Sequence, residues 1–129
     1  MKLLLDTHVW LWTLVSPERI PASILARLRG SGNQLFLSAA SSWEIAIKYH
    51  LGKLPLPEPP IRFVPPRLSR DGVIPLPIEH PHALAVTDLP LYHSDPFDRL
   101  LIVQARMEGM TLVTVDQQFA SYDVALLTR

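Results

Sequence analysis

MKLLLDTHVWLW, residues 1–12, sets a short apolar run directly before an aspartate and a second apolar segment directly after it. Lys2 to Leu5 is too short for a helix, and an apolar run of that length followed by Asp-Thr reads as a strand buried on both faces, as in a parallel sheet. Asp6 then stands at a strand's carboxyl end. That edge is where open α/β sheets bind ligands, because strand ends and helix N-termini converge there. The fold and the function both turn on whether other acids reach the same edge.

Working outward, Val9 to Val15 is apolar almost all round and contains Trp10 and Trp12, which predicts a short buried helix closed by Ser16-Pro17-Glu18. A second helix is expected from Pro21, with Ile24, Leu25 and Leu28 on one face and Arg27 and Arg29 off it, ending at Gly30-Ser31-Gly32-Asn33. Gln34 to Leu37 reads as a strand, and Ser38 to Leu51 (SAASSWEIAIKYHL) as the clearest helix, stopped at Gly52. The proline-rich stretch Leu54 to Pro66 predicts an extended connector, followed by a short helix containing Arg67, Leu68 and Arg70. Val73 to Leu76 is a third strand and Pro81 to Leu89 a helix stopped by Pro90. Asp95-Pro96-Phe97-Asp98 has the order of an N-cap, a first-turn proline and a first-turn acid, opening a helix that runs to Gly109. Met110 to Val115 is a fourth strand ending in Asp116, Gln117 to Phe119 a helical turn, and Val124 to Leu127 a fifth strand. Strands alternating with helices imply a parallel sheet with helices on both faces.

The 129 residues, 48% hydrophobic, fit one domain with a real core. The absence of cysteine excludes a disulfide scaffold and a thiolate metal site. Asp6, His8 and Glu18 break the only candidate leader, and no apolar run approaches the ~20 residues that span a bilayer, so a soluble cytoplasmic protein is expected. With 12 basic and 12 acidic residues the net charge is zero. No global field draws in a polyanion, and local arginines or bound cations must do so.

Asp6, Glu44, Asp98 and Asp116 each have a local explanation. Asp6 and Asp116 follow strands and can cap the next helix, Ser41-Ser42-Trp43-Glu44 has the capping-box spacing, and Asp98 favours a helix dipole. Together they read differently, since a parallel sheet brings all four to one edge and local capping does not predict that convergence. Two carboxylates ~4 Å apart repel by ~4 kcal/mol at an effective dielectric of 20, a cost that a divalent cation removes. Oxygen ligation without histidine or cysteine favours Mg²⁺ or Mn²⁺, and phosphodiester hydrolysis is the chemistry that fits. His8, His50, His80, His82 and His93 show no zinc spacing and read as structural or surface residues. Asp95 reads as a cap, with an outer-shell metal role as the alternative. Thr114 reads either as a hydroxyl at the crevice or as a buried strand threonine, and Lys48 and Arg99 either as phosphate contacts or as solvated charges.

In this order, LLLDTHV, SAASSWEIAIK, HSDPFDRLLIVQA and LVTVDQQF resemble the PIN-domain nucleases, specifically the VapC-type toxins of bacterial toxin-antitoxin pairs. The segments run from one end of the chain to the other and are specific in combination. The resemblance implies a single PIN domain over residues 1–129, three α/β/α layers around a five-stranded parallel sheet, and Mg²⁺- or Mn²⁺-dependent endoribonuclease activity on RNA. It assigns the catalytic, metal-holding roles to Asp6, Glu44, Asp98 and Asp116, the last commonly a weaker or water-mediated ligand. It also implies a homodimer silenced by a small antitoxin whose C-terminal segment covers the groove near the metal; Trp10, Trp12 and the proline connector either suit such a partner or belong to the core.

Rival readings are a phosphoaspartate receiver, a haloacid-dehalogenase-type phosphatase and a catalytically silent PIN-like binding module. The receiver lacks its early acid pair, since Leu5 and Thr7 flank Asp6, and the phosphatase lacks the second aspartate of DxDx[TV]. The four acids argue against the silent module.

Overall fold

The computed structural model describes residues 1–128. Its five strands are all parallel, in the order β3-β2-β1-β4-β5. They are β1 (Lys2–Leu5), β2 (Gln34–Ser38), β3 (Ile74–Leu76), β4 (Thr111–Val113) and β5 (Leu126–Leu127). The helices are α1 (Thr7–Val15), α2 (Ala22–Arg29), α3 (Ala39–His50), α4 (Pro60–Asp71), α5 (His80–Ala85) and α6 (Pro96–Glu108), with single 3-10 turns at Pro17–Arg19, Val86–Asp88 and Gln117–Ser121.

β1 is the central strand, and Leu3, Leu4 and Leu5 are all within 1% of full burial. Strand alternation sends them to opposite layers. Leu3 and Leu5 join Val9, Trp10, Ile24, Leu28, Phe63 and Leu68, so that α1, α2 and α4 cover one face. Leu4 joins Phe36, Leu101, Ile102, Leu112 and Phe119, so that α6 covers the other. Trp10 is core, 1% exposed and edge-on to Phe63, whereas Trp12 is only partly buried.

Register brings the strand ends level. Leu4 pairs with Phe36 and Leu112, Leu5 pairs with Val113, and the Asp6 amide extends the ladder by donating to the Val113 carbonyl at 2.9 Å. Asp6, the start of α3 and the loop after β4 therefore emerge side by side. The outer strand β3 tolerates Pro75 because an edge strand need not donate on both sides.

The proline-rich stretch departs from the expected extended connector. Residues Pro60–Asp71 form one helix with Pro65 and Pro66 inside it. Both prolines are exposed, as are Ile61 and Arg62, whose carbonyls lose their helical donors, so water can satisfy what the ladder gives up. Phe63, Val64 and Leu68 on the opposite face are buried, and their packing outweighs the proline penalty. Arg67 adds a clamp, its Nη1 donating to the Phe63 carbonyl at 2.9 Å and to Glu58 at 3.0 Å.

Smaller departures occur at element ends. The first helix begins at Thr7 rather than Val9. The expected capping box at Ser41–Glu44 is absent: α3 starts at Ala39, Ser38 Oγ caps it by accepting from the Ala40 amide at 3.0 Å, and Ser41 and Glu44 are buried inside the helix. The Pro81–Leu89 helix is a six-residue α5 continued by a 3-10 turn. β4 stops at Val113 and β5 starts at Leu126. No helix among the described residues is long and apolar enough to cross a membrane.

Candidate active site

The carboxyl edge of the sheet opens into a cleft of about 490 Å³ whose walls include Asp6, Glu44, Asp98 and Asp116. Each arrives by a separate element. Asp6 ends β1 at the N-cap position of α1 but makes no capping bond with its side chain. Its Oδ2 instead accepts from the Thr114 hydroxyl at 2.8 Å, and Thr114 Oγ1 in turn accepts from the Asp116 amide at 3.0 Å. Thr114, fully buried, thus ties the first strand's acid to the loop that carries the last.

Glu44 lies in the second turn of α3 with its side chain 4% exposed. Lys48, one turn later, donates from Nζ to Glu44 Oε2 at 2.5 Å. Glu44 Oε1 is buried with no hydrogen-bond partner among the described residues. Beneath them, Thr7 Oγ1 donates to Ser41 Oγ at 2.8 Å and pins α1 to α3.

Asp98 enters in the first turn of α6, and Asp95 is spent as that helix's cap, its Oδ1 accepting from the amides of Phe97 at 2.8 Å and Asp98 at 3.1 Å. Asp116 caps the following 3-10 turn with Oδ1, which accepts from the Gln118 amide at 2.9 Å, and keeps Oδ2 toward the cleft. The capping reading of Asp116 and the cleft reading therefore describe different oxygens of one carboxylate.

His93, expected to be structural or exposed, stands in the cleft. Its Nε2 is 2.8 Å from Asp98 Oδ2 and 3.8 Å from Asp116 Oδ2. His93, Asp98 and Asp116 each offer one ligand atom within 4.8 Å of the other two, with Asp6 and Glu44 forming the wall beside this grouping. The cleft therefore places an imidazole nitrogen beside the carboxylate oxygens. The signal in the sequence is its place in HSDPFD, two residues before the Asp95 cap, where the loop must turn toward the cleft. His82, by contrast, is structural: Nδ1 accepts from the Glu79 amide at 3.0 Å and Nε2 sits 3.0 Å from Glu108. Arg99 is neither a phosphate contact nor solvated. It is 8% exposed, and its guanidinium donates to the carbonyls of Val86, Leu89, Pro90 and His93, which fixes the loop that delivers His93.

Electrostatics register the crowding. Burial first, and then the charges of Asp6, Asp95, Glu44 and Asp116, push the Asp98 carboxyl up to about 8. Burial also raises the Asp6 carboxyl, and the Glu44 charge adds to this, against lowering by the Thr114 hydroxyl and His8. Burial opposes the Lys48 charge, but the hydrogen bond to Glu44 and the neighbouring acids outweigh it and raise its pKa. Asp98 and Asp116 within 4.8 Å of each other, Asp6 and Glu44 lining the same cleft, and a Glu44 oxygen buried without a partner make a hard-donor site that fits a divalent cation.

A five-stranded parallel sheet carrying converging acids at its carboxyl edge defines a PIN-type α/β domain, and the PIN domain family model matches residues 3–125. The chain belongs to the PIN domain family, whose nucleases use divalent metal. Among curated proteins it is similar to Ribonuclease VapC16 of Mycobacterium tuberculosis, 58% identical over 50 residues, or 39% of this chain. The matched segment covers 36% of that relative's length. Its fold is similar to VapBC2 from Rickettsia felis bound to a promoter DNA fragment, with a TM-score of 0.73, 18% identity and 99% and 98% of the two chains covered. DNA-bound VapBC from Salmonella typhimurium gives 0.71 at 20% identity, with the same coverage.

Proposed function

We propose that this chain is a divalent-cation-dependent endoribonuclease, with Asp6, Glu44, Asp98 and Asp116 holding Mg²⁺ or Mn²⁺ at the carboxyl edge of the sheet. The observation that carries the reading is the convergence of four sequence-distant carboxylates in one cleft, where burial first and the neighbouring acids second push the Asp98 carboxyl up to about 8. A bound cation supplies Lewis acidity toward the scissile phosphodiester. The chain's own residues do the rest: Thr114 and the α1–α3 tie orient Asp6, and the Asp95 cap and Arg99 clamp hold Asp98 and His93 in place. The relative named as a ribonuclease supports RNA as substrate.

The biological role in this reading is that of a toxin neutralised by a cognate antitoxin protein, the chain itself forming a homodimer. The VapBC character of the structural neighbours supports the partner. The test is cleavage of a fluorescent RNA with Mn²⁺ or Mg²⁺, with and without EDTA, by wild type, Asp6→Asn and Asp98→Asn. Metal-dependent cleavage lost in both variants is expected, and equal cleavage by the variants removes the assignment to this cleft. Sedimentation of the chain alone checks the homodimer, and co-purification with a VapB-type antitoxin checks the partner.

A further inference from the structure

The acids explain how a phosphodiester is attacked but not how a strand is held by a chain with no net charge. One wall of the cleft has the means. His8 and Trp12, four residues apart on α1, share a helix face, with ring centroids 6.1 Å apart at 46°. The Arg19 guanidinium lies over the Trp12 ring at 4.6 Å from its centroid. All three border the acidic cleft, and Trp12 and Arg19 also border an adjoining groove of about 900 Å³ that continues past Pro17, Pro21 and Leu25 to Arg29. Neither Arg19 nor Arg29 is ion-paired with a carboxylate among the described residues, and Glu18 is an acid on the same wall. Trp10 makes the contrast: it is fully packed into the core, whereas Trp12 packs against the core and keeps a partly exposed side at the groove.

We propose that His8, Trp12 and Arg19 form a stacking subsite for a base of single-stranded RNA beside the scissile phosphate, with Arg19 and Arg29 meeting phosphates further along the groove. The proposal rests on reading the cleft as a ribonuclease site. The Arg19 guanidinium lies over the indole, so a base stacks on the outer face of that pair while the guanidinium also contacts phosphate, and the subsite selects single strands over duplexes without reading sequence. The arginines without carboxylate partners complement phosphates, and they line the groove that adjoins the acids.

The test is fluorescence anisotropy of a labelled single-stranded oligoribonucleotide of mixed sequence. Ca²⁺ replaces the catalytic cation, and a gel verifies that the strand stays intact. Trp12→Leu is expected to weaken binding about ten-fold and Trp12→Phe by much less, since phenylalanine still stacks. Arg19→Met is expected to flatten the dependence of log affinity on log salt by about 0.7, the share of one single-strand phosphate contact. In Mg²⁺ or Mn²⁺ cleavage assays the Trp12→Leu effect falls on KM rather than kcat. Wild-type affinity in Trp12→Leu, equal affinity for duplex and single strand, or loss of an antitoxin complex with RNA binding intact would each overturn the subsite. Equal losses in Trp12→Leu and Trp12→Phe, with a lowered melting temperature, would do the same by marking a structural role. A wild type that binds through Trp12 but cuts no RNA removes the nuclease reading and leaves the subsite. A wild type that cuts, with Trp12→Leu binding normally, does the reverse.

Discussion

Asp98 shows how much of this protein is decided by single side chains. Its carboxyl titrates at about 8 in the folded chain against an ordinary 3.8, because it is buried among other acids. Between those pH values the folded chain holds a proton that the unfolded chain has released, so the metal-free protein loses stability as pH rises through that window. Urea midpoints in EDTA from pH 4 to 8 should fall, and Asp98→Asn should flatten the fall and raise stability near pH 8 by on the order of 1–2 kcal/mol, after discounting for solvent screening. The same substitution should remove RNA cleavage, a separation that a purely structural acid would not give. Thr114→Val deletes the hydroxyl that Asp6 accepts from. A hydrogen bond to a charged group is worth roughly 1.5–3 kcal/mol, so cation affinity measured by calorimetry should drop about ten-fold or more, with a loss of stability as well because the Asp116 amide loses its acceptor.

At the scale of elements, α4 and α6 show opposite uses of proline. Pro96 opens α6 where a missing amide costs nothing, and Pro60 does the same for α4. Pro65 and Pro66 sit where amides are wanted, and α4 persists because its buried face holds it. Restoring a donor with Pro66→Ala should raise the melting temperature, by about 1–2 kcal/mol of stability once the larger entropy of the unfolded chain is subtracted. The segment from Val86 to His93 depends on a neighbouring element in a different way. Arg99 satisfies carbonyls at four of its positions, so Arg99→Met should destabilise by about 2–4 kcal/mol in chemical denaturation and lower cleavage by releasing His93 and the approach to Asp98.

For the molecule as a whole, the acids gathered to hold a cation cost folding stability until the ion arrives. Saturating Mn²⁺ should raise the wild-type melting temperature, on the order of 2.7 kcal/mol at a hundred times the dissociation constant, and should do little for Asp98→Asn. A wild-type curve indifferent to Mn²⁺ would count against the metal centre. On the proposed reading the Trp12–Arg29 wall supplies the phosphate contacts of a chain with no net charge, so RNA binding should weaken with salt by only the few contacts that wall supplies.

The order of strands and helices, the acids at strand ends and the Asp95-Pro96 cap are local properties, set by run length, polarity alternation and backbone preference within a few residues, and the sequence alone determined them. Tertiary structure decided what depends on partners distant in the chain. Pro60–Asp71 is helical because Phe63, Val64 and Leu68 are buried by other elements, and no local rule weighs that against two internal prolines. Glu44 is a cleft residue rather than a capping-box member because Ser38, at the end of a paired strand, sets where α3 begins. His93 stands beside Asp98 and Asp116 because Arg99 binds the carbonyls around it from within the fold. Spacing along the chain carries helix and strand periods, but the meeting of side chains from separate elements is fixed only when the sheet brings their ends together.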